Sequence, residues 1–172
     1  MPTFTLTKTA TIKAPADRVW EILDGEFAQV GHWASTIDHS TSNLQIVPDA
    51  GGAAQGRVCA VPGFGTTDER VTRRDAASKS FAYSVSSEKL PGFVKGTEIG
   101  WSVQPGGPTS SVVRWEMTLH TSGIMGALAG PMMKMRFSGI ADRTLDDLRM
   151  YALTGRPSDA KQKAMARRTT RG

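Results

Sequence analysis

One long amphipathic helix is predicted by residues 130–155, GPMMKMRFSGIADRTLDDLRMYALTG. Pro131 lies near the first turn and Gly155 follows the last, and both are ordinary signals for the start and end of a helix. The side chains of one face recur at helical spacing and are mostly apolar: Met133, Phe137, Ile140, Ala141, Thr144, Leu148 and Tyr151. Because the opposite face carries Asp and Arg, the apolar stripe must pack against another part of the chain.

The chain before this helix contains short strand patterns separated by turn residues. The clearest is VVRWEMTLHT, residues 112–121, in which large apolar side chains alternate with polar ones. Seven strands are predicted, at residues 4–14, 43–47, 57–61, 68–74, 79–86, 97–104 and 111–121. Two short helices are predicted after the first strand, at 15–25 and 26–31, and a loop at 31–42. This spacing favours an antiparallel meander whose apolar face covers the long helix, an α+β fold.

The composition excludes several kinds of site. The only cysteine among the 172 residues is Cys59, so the chain can form neither an intrachain disulfide nor a cysteine-cluster metal site. The three histidines are scattered, and no nucleotide-binding motif is present. We therefore predict no metal and no cofactor. No apolar run suggests a signal peptide or a membrane span, so we expect a cytoplasmic protein without membrane insertion.

The net charge of +5 is confined to the end of the chain. Residues 156–172 contain six basic residues and one acid, which account for the whole excess. We interpret this segment as a flexible, solubilising tail that follows a single domain of residues 1–155. A role for the tail in binding an anionic surface is the alternative. Since the body of the chain is neutral, no nucleic-acid partner is predicted.

Three stretches resemble the START-like superfamily, which includes the birch-pollen allergen family and the polyketide cyclase/dehydrase-like proteins. They are IKAPADRVWEILDGEFAQVGHW (12–33), DERVTRRDAASKSFAYSV (68–85) and SSVVRWEMTLHTSG (110–123), followed by the long helix. The resemblance covers residues 4–154. It implies a helix-grip fold, in which a seven-stranded curved antiparallel sheet wraps around the long C-terminal helix, with two short helices after strand 1. It also implies a hydrophobic cavity between sheet and helix.

Strand alternation and helix spacing place large apolar and aromatic side chains toward that interior. The alternative is a fully packed core built from the same residue types. The predicted ligand-binding residues are Trp33, Phe64, Glu69, Val71, Phe81, Tyr83, Phe93, Trp101, Trp115, Met117, Met125, Met133 and Phe137.

Glu69 is the best polar candidate for the cavity. It precedes Val71 by two residues and so shares its face of the strand. A related plant-hormone-receptor branch has a Glu-Arg pair at the start of this strand, with Glu facing the pocket, and Glu69-Arg70 matches it. Arg73, on the same face, could neutralise Glu69. The alternative is that Glu69 lies so near the strand end that water reaches it.

Two functions are compatible with these residues. The first is binding of a small hydrophobic or amphipathic molecule, such as a lipid, a polyketide or an aromatic metabolite. The alternative is a polyketide cyclase/dehydratase-like enzyme, with Glu69 as general base and Tyr83 or His32 as acid. His32 could equally be a surface loop residue. The sequence leaves a homodimer open.

Two turns, VPGFG (61–65) and LPGFV (90–94), share a Pro-Gly-Phe tripeptide. Because they lie two hairpins apart in a meander, they must lie at the same end of the sheet. We predict that Phe64 and Phe93, together with Met125 and with Trp33 as a further candidate, form an adjustable lid over the cavity mouth. The alternative is that each Phe tucks under its own turn.

Overall fold

The computed structural model describes residues 2–46 and 54–169. Seven strands form one antiparallel sheet in the order β1-β7-β6-β5-β4-β3-β2. The strands are β1 (Thr3–Ile12), β2 (His39–Ser42), β3 (Gly56–Val61), β4 (Gly65–Asp75), β5 (Ser80–Ser86), β6 (Val94–Gly107) and β7 (Ser110–Thr121). Helix α1 (Ala16–Trp20), a π-helical turn (Glu21–Gly25) and a 3-10 helix (Phe27–His32) follow β1. Helices α2 (Gly123–Thr154) and α3 (Asp159–Thr169) complete the chain. The predicted helix-grip α+β fold is confirmed.

The buried face of the sheet follows the predicted alternation. Val113, Trp115, Met117 and Leu119 of β7 are all buried, whereas the residues between them are more exposed. Leu145 and Leu148 of α2 are buried in the same core. The apolar stripe of the helix therefore packs against the apolar face of the sheet, as helical spacing and strand alternation predicted.

Strand β2 differs from the sequence prediction. Residues 43–47 were predicted as a strand, but the strand is His39–Ser42, which pairs with residues 57–60 of β3. The polar sequence is compatible with burial because Ser40 forms hydrogen bonds with backbone groups of the neighbouring 3-10 helix. The Ser40 hydroxyl donates to the Ala28 carbonyl at 2.8 Å and accepts from the Gly31 amide at 2.8 Å. Residue 47 and most of the turn predicted after it lie outside the described residues.

Helix α2 begins at Gly123, eight residues before the predicted start at Pro131. Gly123 has a φ of 70°, which turns the chain sharply out of β7. Pro131 lacks an amide hydrogen and removes one helical hydrogen bond. The helix nevertheless continues through it, because the Leu, Met and Ala residues on either side are strong helix formers.

The tail also differs from the prediction of a flexible segment. Residues 159–169 form helix α3, which is anchored through Lys161. This lysine is 1% exposed, and its Nζ donates to the Ile37 carbonyl at 2.6 Å. Arg168 donates to the carbonyl of Asp38. The basic residues therefore hold the loop before β2 in place.

Candidate functional site

A cavity of about 120 Å³ lies between the sheet and the second half of α2. The π-helical turn and the 3-10 helix close one side through Leu23, Phe27 and Val30. Phe64 and Leu90, from the two Pro-Gly-Phe turns, lie at the end where β3, β5 and β7 finish. We call this end the mouth; the loop of residues 33–38 also reaches it.

Most of the residues predicted to bind a ligand line this cavity. They are Trp33, Phe64, Glu69, Phe81, Tyr83, Trp101, Trp115, Met117 and Phe137. These residues were predicted to face the interior from alternation along the strands and spacing along the helix, and they do face it. Whether they contact a ligand stays a prediction.

Four predicted residues lie elsewhere. Val71 is next to an irregularity in the β4–β5 pairing, and it packs at the edge of the core, away from the cavity. Met133 is buried on the same face of α2 as Phe137, but it lies one turn nearer the start of the helix and does not line the cavity. Met125 is 64% exposed, because the helix that carries it starts earlier than predicted. Phe93 is half-buried beside the start of α2, where its carbonyl accepts from the Ser122 amide at 2.8 Å.

His32 is exposed and does not line the cavity, whereas the next residue, Trp33, is 2% exposed. The 3-10 helix ends between them, so their side chains point in different directions. Glu69 and Tyr83 share the cavity, but His32 does not join them. Of the two candidate acids, only Tyr83 therefore lies in the same cavity as Glu69, the candidate base.

Arg57 is the main polar residue that sequence reasoning missed. It lies directly opposite Glu69 in the β3–β4 pair, and both side chains are 6% exposed. Its Nε donates to Glu69 Oε2 at 2.7 Å, and its Nη2 is 2.6 Å from the same oxygen. Arg57 shares the inward face of β3 with the buried Cys59, and this alternation was the available signal.

Further contacts fix the Arg57 guanidinium on all sides. Its Nη1 donates to the Phe27 carbonyl at 2.8 Å, and its Nη2 donates to the Tyr83 hydroxyl at 3.2 Å. The guanidinium carbon lies 4.1 Å from the centre of the Phe27 ring, a cation–π contact. Thr67 Oγ1 donates to the second oxygen of Glu69 at 3.2 Å. We call these five residues (Phe27, Arg57, Thr67, Glu69 and Tyr83) the polar cluster.

The proposed neutralising role of Arg73 is wrong. Arg73 is 74% exposed and pairs at 3.4 Å with Glu98 on the outer face of the sheet. The register irregularity between Val71 and Arg73 takes Arg73 off the face that Glu69 occupies. Arg57 supplies the buried positive charge instead.

The pKa values of Arg57, Tyr83 and the neighbouring Cys59 all lie above their ordinary values. Burial by itself lowers the pKa of Arg57, but attraction from Glu69 outweighs it, and the pKa lies above its ordinary value. Burial raises the pKa of Tyr83. Burial and the Glu69 charge raise the pKa of the neighbouring Cys59 thiol to about 12. Near pH 7 the tyrosine and the cysteine are therefore neutral, and Arg57 is charged.

Two buried polar atoms of cavity-lining side chains have no hydrogen-bond partner within the described part of the chain. They are Trp33 Nε1, which can only donate, and Thr97 Oγ1. Leaving such a group unsatisfied costs about 1–3 kcal/mol. A group that accepted from Trp33 would remove this penalty.

Phe64 is held at the mouth by contacts with two residues of α2. Its ring stacks on Phe137 of α2 at 5.5 Å, and the Arg136 guanidinium lies 4.5 Å from its centre on the outside. The Ser87 hydroxyl donates to the Phe64 carbonyl at 2.7 Å and so ties the two Pro-Gly-Phe turns together. Both turns lie at the same end of the sheet, but Leu90 rather than Phe93 is the cavity residue of the second turn. The lid function stays a prediction.

The loop at the mouth is anchored by Asp147, a carboxylate that is 2% exposed. Its Oδ2 accepts from the Ser35 amide at 2.6 Å, and its Oδ1 accepts from the Ser158 hydroxyl. Asp147 thus connects α2, the start of α3 and the loop that carries Trp33, Thr36 and Ile37 into the cavity.

The described residues contain neither a metal-binding cluster nor a membrane-spanning helix. No cluster of three or more His, Cys, Asp or Glu side chains in these residues could hold a metal ion. None of the described helices is both long and apolar enough to cross a membrane.

The fold is shared with solved structures of low sequence identity. Ara h 8.0201 is 11% identical with a TM-score of 0.65, and the match covers 89% of this chain and 99% of that one. A START superfamily protein from Mycobacterium smegmatis is 18% identical with a TM-score of 0.61, covering 88% and 94%. The di-domain ARO/CYC BexL from the BE-7585A biosynthetic pathway is 16% identical with a TM-score of 0.66, covering 85% of this chain and 45% of that one.

A search of curated protein sequences finds no match. The family model described as "Polyketide cyclase / dehydrase and lipid transport" matches residues 3–152, nearly the whole of the helix-grip fold. The chain therefore belongs to the polyketide cyclase/dehydrase and lipid transport family.

Proposed function

We propose that the protein binds a small, uncharged molecule. Its apolar part is about the size of an aromatic ring, and it carries an oxygen atom that accepts a hydrogen bond. Family membership supports ligand binding in general. The observation that carries the finer proposal is an apolar cavity lined by Trp33 and Thr97, whose buried Nε1 and Oγ1 atoms have no partner among the described residues. Ligand pockets commonly combine such a lining with a few polar groups that fix orientation.

The size of the cavity limits its occupant. Its volume of about 120 Å³ is below the roughly 300–1,000 Å³ of pockets for drug-sized ligands. An apolar cavity of about 150 Å³ can hold benzene. One aromatic ring is therefore the natural size, and a second ring requires adjustment of the walls. Met117 and the Phe64 turn are the adaptable parts of the lining.

The charge of the cavity favours a neutral ligand. Arg57 is already paired with Glu69. Glu26, the other acidic side chain of the lining, lies 3.6 Å from Arg18 and accepts from the Tyr151 hydroxyl at 3.2 Å. A ligand carboxylate would add a buried charge, and the described lining offers no unpaired cation to compensate it. A carbonyl or hydroxyl oxygen could accept from Trp33 without that cost.

General-base catalysis by Glu69 has less support. Both of its oxygens already accept hydrogen bonds, one from Arg57 and one from Thr67. The Arg57 guanidinium also holds Glu69, the proposed base, in a buried ion pair at 2.6 Å. A cyclase or dehydratase activity, a cytoplasmic location and a homodimer all stay predictions.

Filling the cavity tests the proposal. Ala141 is 1% exposed and lines the cavity, so Ala141→Leu should occupy part of the space. We expect acetophenone, a neutral aromatic ketone with one ring, to quench the fluorescence of the lining residues Trp33, Trp101 and Trp115. Ala141→Leu should weaken this binding by about tenfold or more, which is about 1.4 kcal/mol.

Ala160→Leu is the matched control, because Ala160 is exposed on α3. It should bind the ketone as the wild type does. Thermal unfolding of both variants checks that they remain folded. Equal binding by wild type and a folded Ala141→Leu would show that the ketone binds elsewhere, and no binding to the wild type would contradict the proposed ligand class.

A further inference from the structure

The first half of α2 carries an apolar stripe that faces solvent. Its members are exposed by 64–80%: Ile124, Met125, Leu128, Met132 and Met135. They span about 100° of the helix surface, at roughly 100° per residue. Met133 and Gly126, on the opposite side of the helix, are buried. We call this surface the 124–135 stripe. A contiguous exposed apolar surface of this kind marks an interaction site.

The charged residues of α2 next to the stripe are basic. Lys134 and Arg136 are exposed on its two flanks. Residues 122–141 contain no Asp or Glu, and the first acid is Asp142, which pairs with Lys8 at 2.9 Å. An apolar face with cationic flanks is the pattern of helices that lie in the surface of an anionic membrane. A second copy of this chain docked on the same face would bring like charges together.

The stripe is connected to the mouth of the cavity. Arg136 covers the outside of the Phe64 ring, and Phe137 stacks on its inside. The Ser122 amide, at the start of α2, donates to the carbonyl of Phe93 in the second Pro-Gly-Phe turn. A surface that held the stripe would therefore also lie against the turns that close the cavity.

We propose that the 124–135 stripe docks the protein on the surface of an anionic lipid membrane, with α2 parallel to that surface and the cavity mouth beside it. The apolar side chains enter the boundary between headgroups and acyl chains, and Lys134 and Arg136 remain at the phosphate level. The docking is peripheral and needs no spanning segment. It concerns a surface outside the cavity and does not depend on what the cavity binds.

Vesicle co-sedimentation tests this proposal. We expect the wild type to bind phosphatidylcholine vesicles that contain phosphatidylglycerol, to bind pure phosphatidylcholine vesicles much less, and to be released by salt. The double variant Leu128→Glu and Met132→Glu should bind the anionic vesicles about tenfold or more weakly. Both side chains are exposed, so the variant should unfold at the same temperature as the wild type.

The matched control is the double variant Leu44→Glu and Met165→Glu, which introduces the same two negative charges elsewhere on the surface. Leu44 is 94% exposed and Met165 is 48% exposed, and both lie outside the stripe. This control should retain vesicle binding. Equal binding by the wild type and the stripe variant would overturn the proposal, and so would the absence of binding to anionic vesicles. A concentration-dependent dimer that the stripe variant abolishes, without any vesicle binding, would also overturn it and identify the stripe as a protein interface.

Discussion

Replacing Arg57 with methionine is expected to lower the free energy of unfolding by about 3–5 kcal/mol, because it leaves the Glu69 carboxylate buried without its cation. The pair is enclosed, with both side chains 6% exposed. The same change removes the donor to the Phe27 carbonyl and the donor to the Tyr83 hydroxyl. Chemical denaturation at neutral pH measures the loss.

Two variants show whether the buried charge is the cause. Arg73→Met removes an arginine from the same sheet, but from an exposed pair with Glu98, and should cost less than about 1 kcal/mol. The double variant Arg57→Met and Glu69→Met removes both charges and should be more stable than Arg57→Met alone. A larger loss from Arg73→Met than from Arg57→Met would contradict the assignment of the buried pair.

Replacing Asp147 with alanine should lower the free energy of unfolding by about 3 kcal/mol, since hydrogen bonds to a charged acceptor contribute about 1.5–3 kcal/mol each. The Ser35 amide and the Ser158 hydroxyl would both lose their acceptor. The loop at residues 35–38 and the start of α3 should loosen together, and hydrogen exchange of the Ser35 amide should report this.

Asp146→Ala is the control for this effect. Asp146 is the neighbouring carboxylate, but its side chain is 69% exposed and pairs with Arg149 one turn along the helix. Its loss should change the free energy of unfolding by about 0.5 kcal/mol or less. If the two variants were equally stable, Asp147 would not anchor the loop.

The fold was predictable because alternation and helical spacing report burial directly. Val113, Trp115 and Met117 alternate in the sequence and are buried in the structure. The strand at His39–Ser42 could not be found this way, because its pairing depends on Ser40 bonding to a helix twelve residues earlier in the chain. The start of α2 was misplaced since Pro131 is an ordinary start signal, and only the surrounding helix formers show that the helix continues through it.

The site was predicted in part for the same reasons. Glu69 was predicted to face the cavity from its face of the strand, with exposure to water as the alternative, and it is 5% exposed. Its partner was assigned to Arg73, because strict alternation was assumed along the whole of β4, and the irregularity after Val71 breaks that alternation. Arg57 is twelve residues away in the sequence and meets Glu69 only through the register of β3 against β4. Cross-strand register of this kind depends on the turn between the strands, which alternation does not specify.

We expect the cavity to take a neutral molecule with an oxygen acceptor, because the buried Arg57 and Glu69 of its lining are already paired. The most direct measurement compares two one-ring ligands of similar shape, acetophenone and benzoate, by quenching of tryptophan fluorescence at neutral pH. The ketone should bind at least about tenfold more tightly, since the carboxylate would be buried without a free cation. Tighter binding of benzoate would contradict this expectation, because it would show that the cavity offers an uncompensated positive charge.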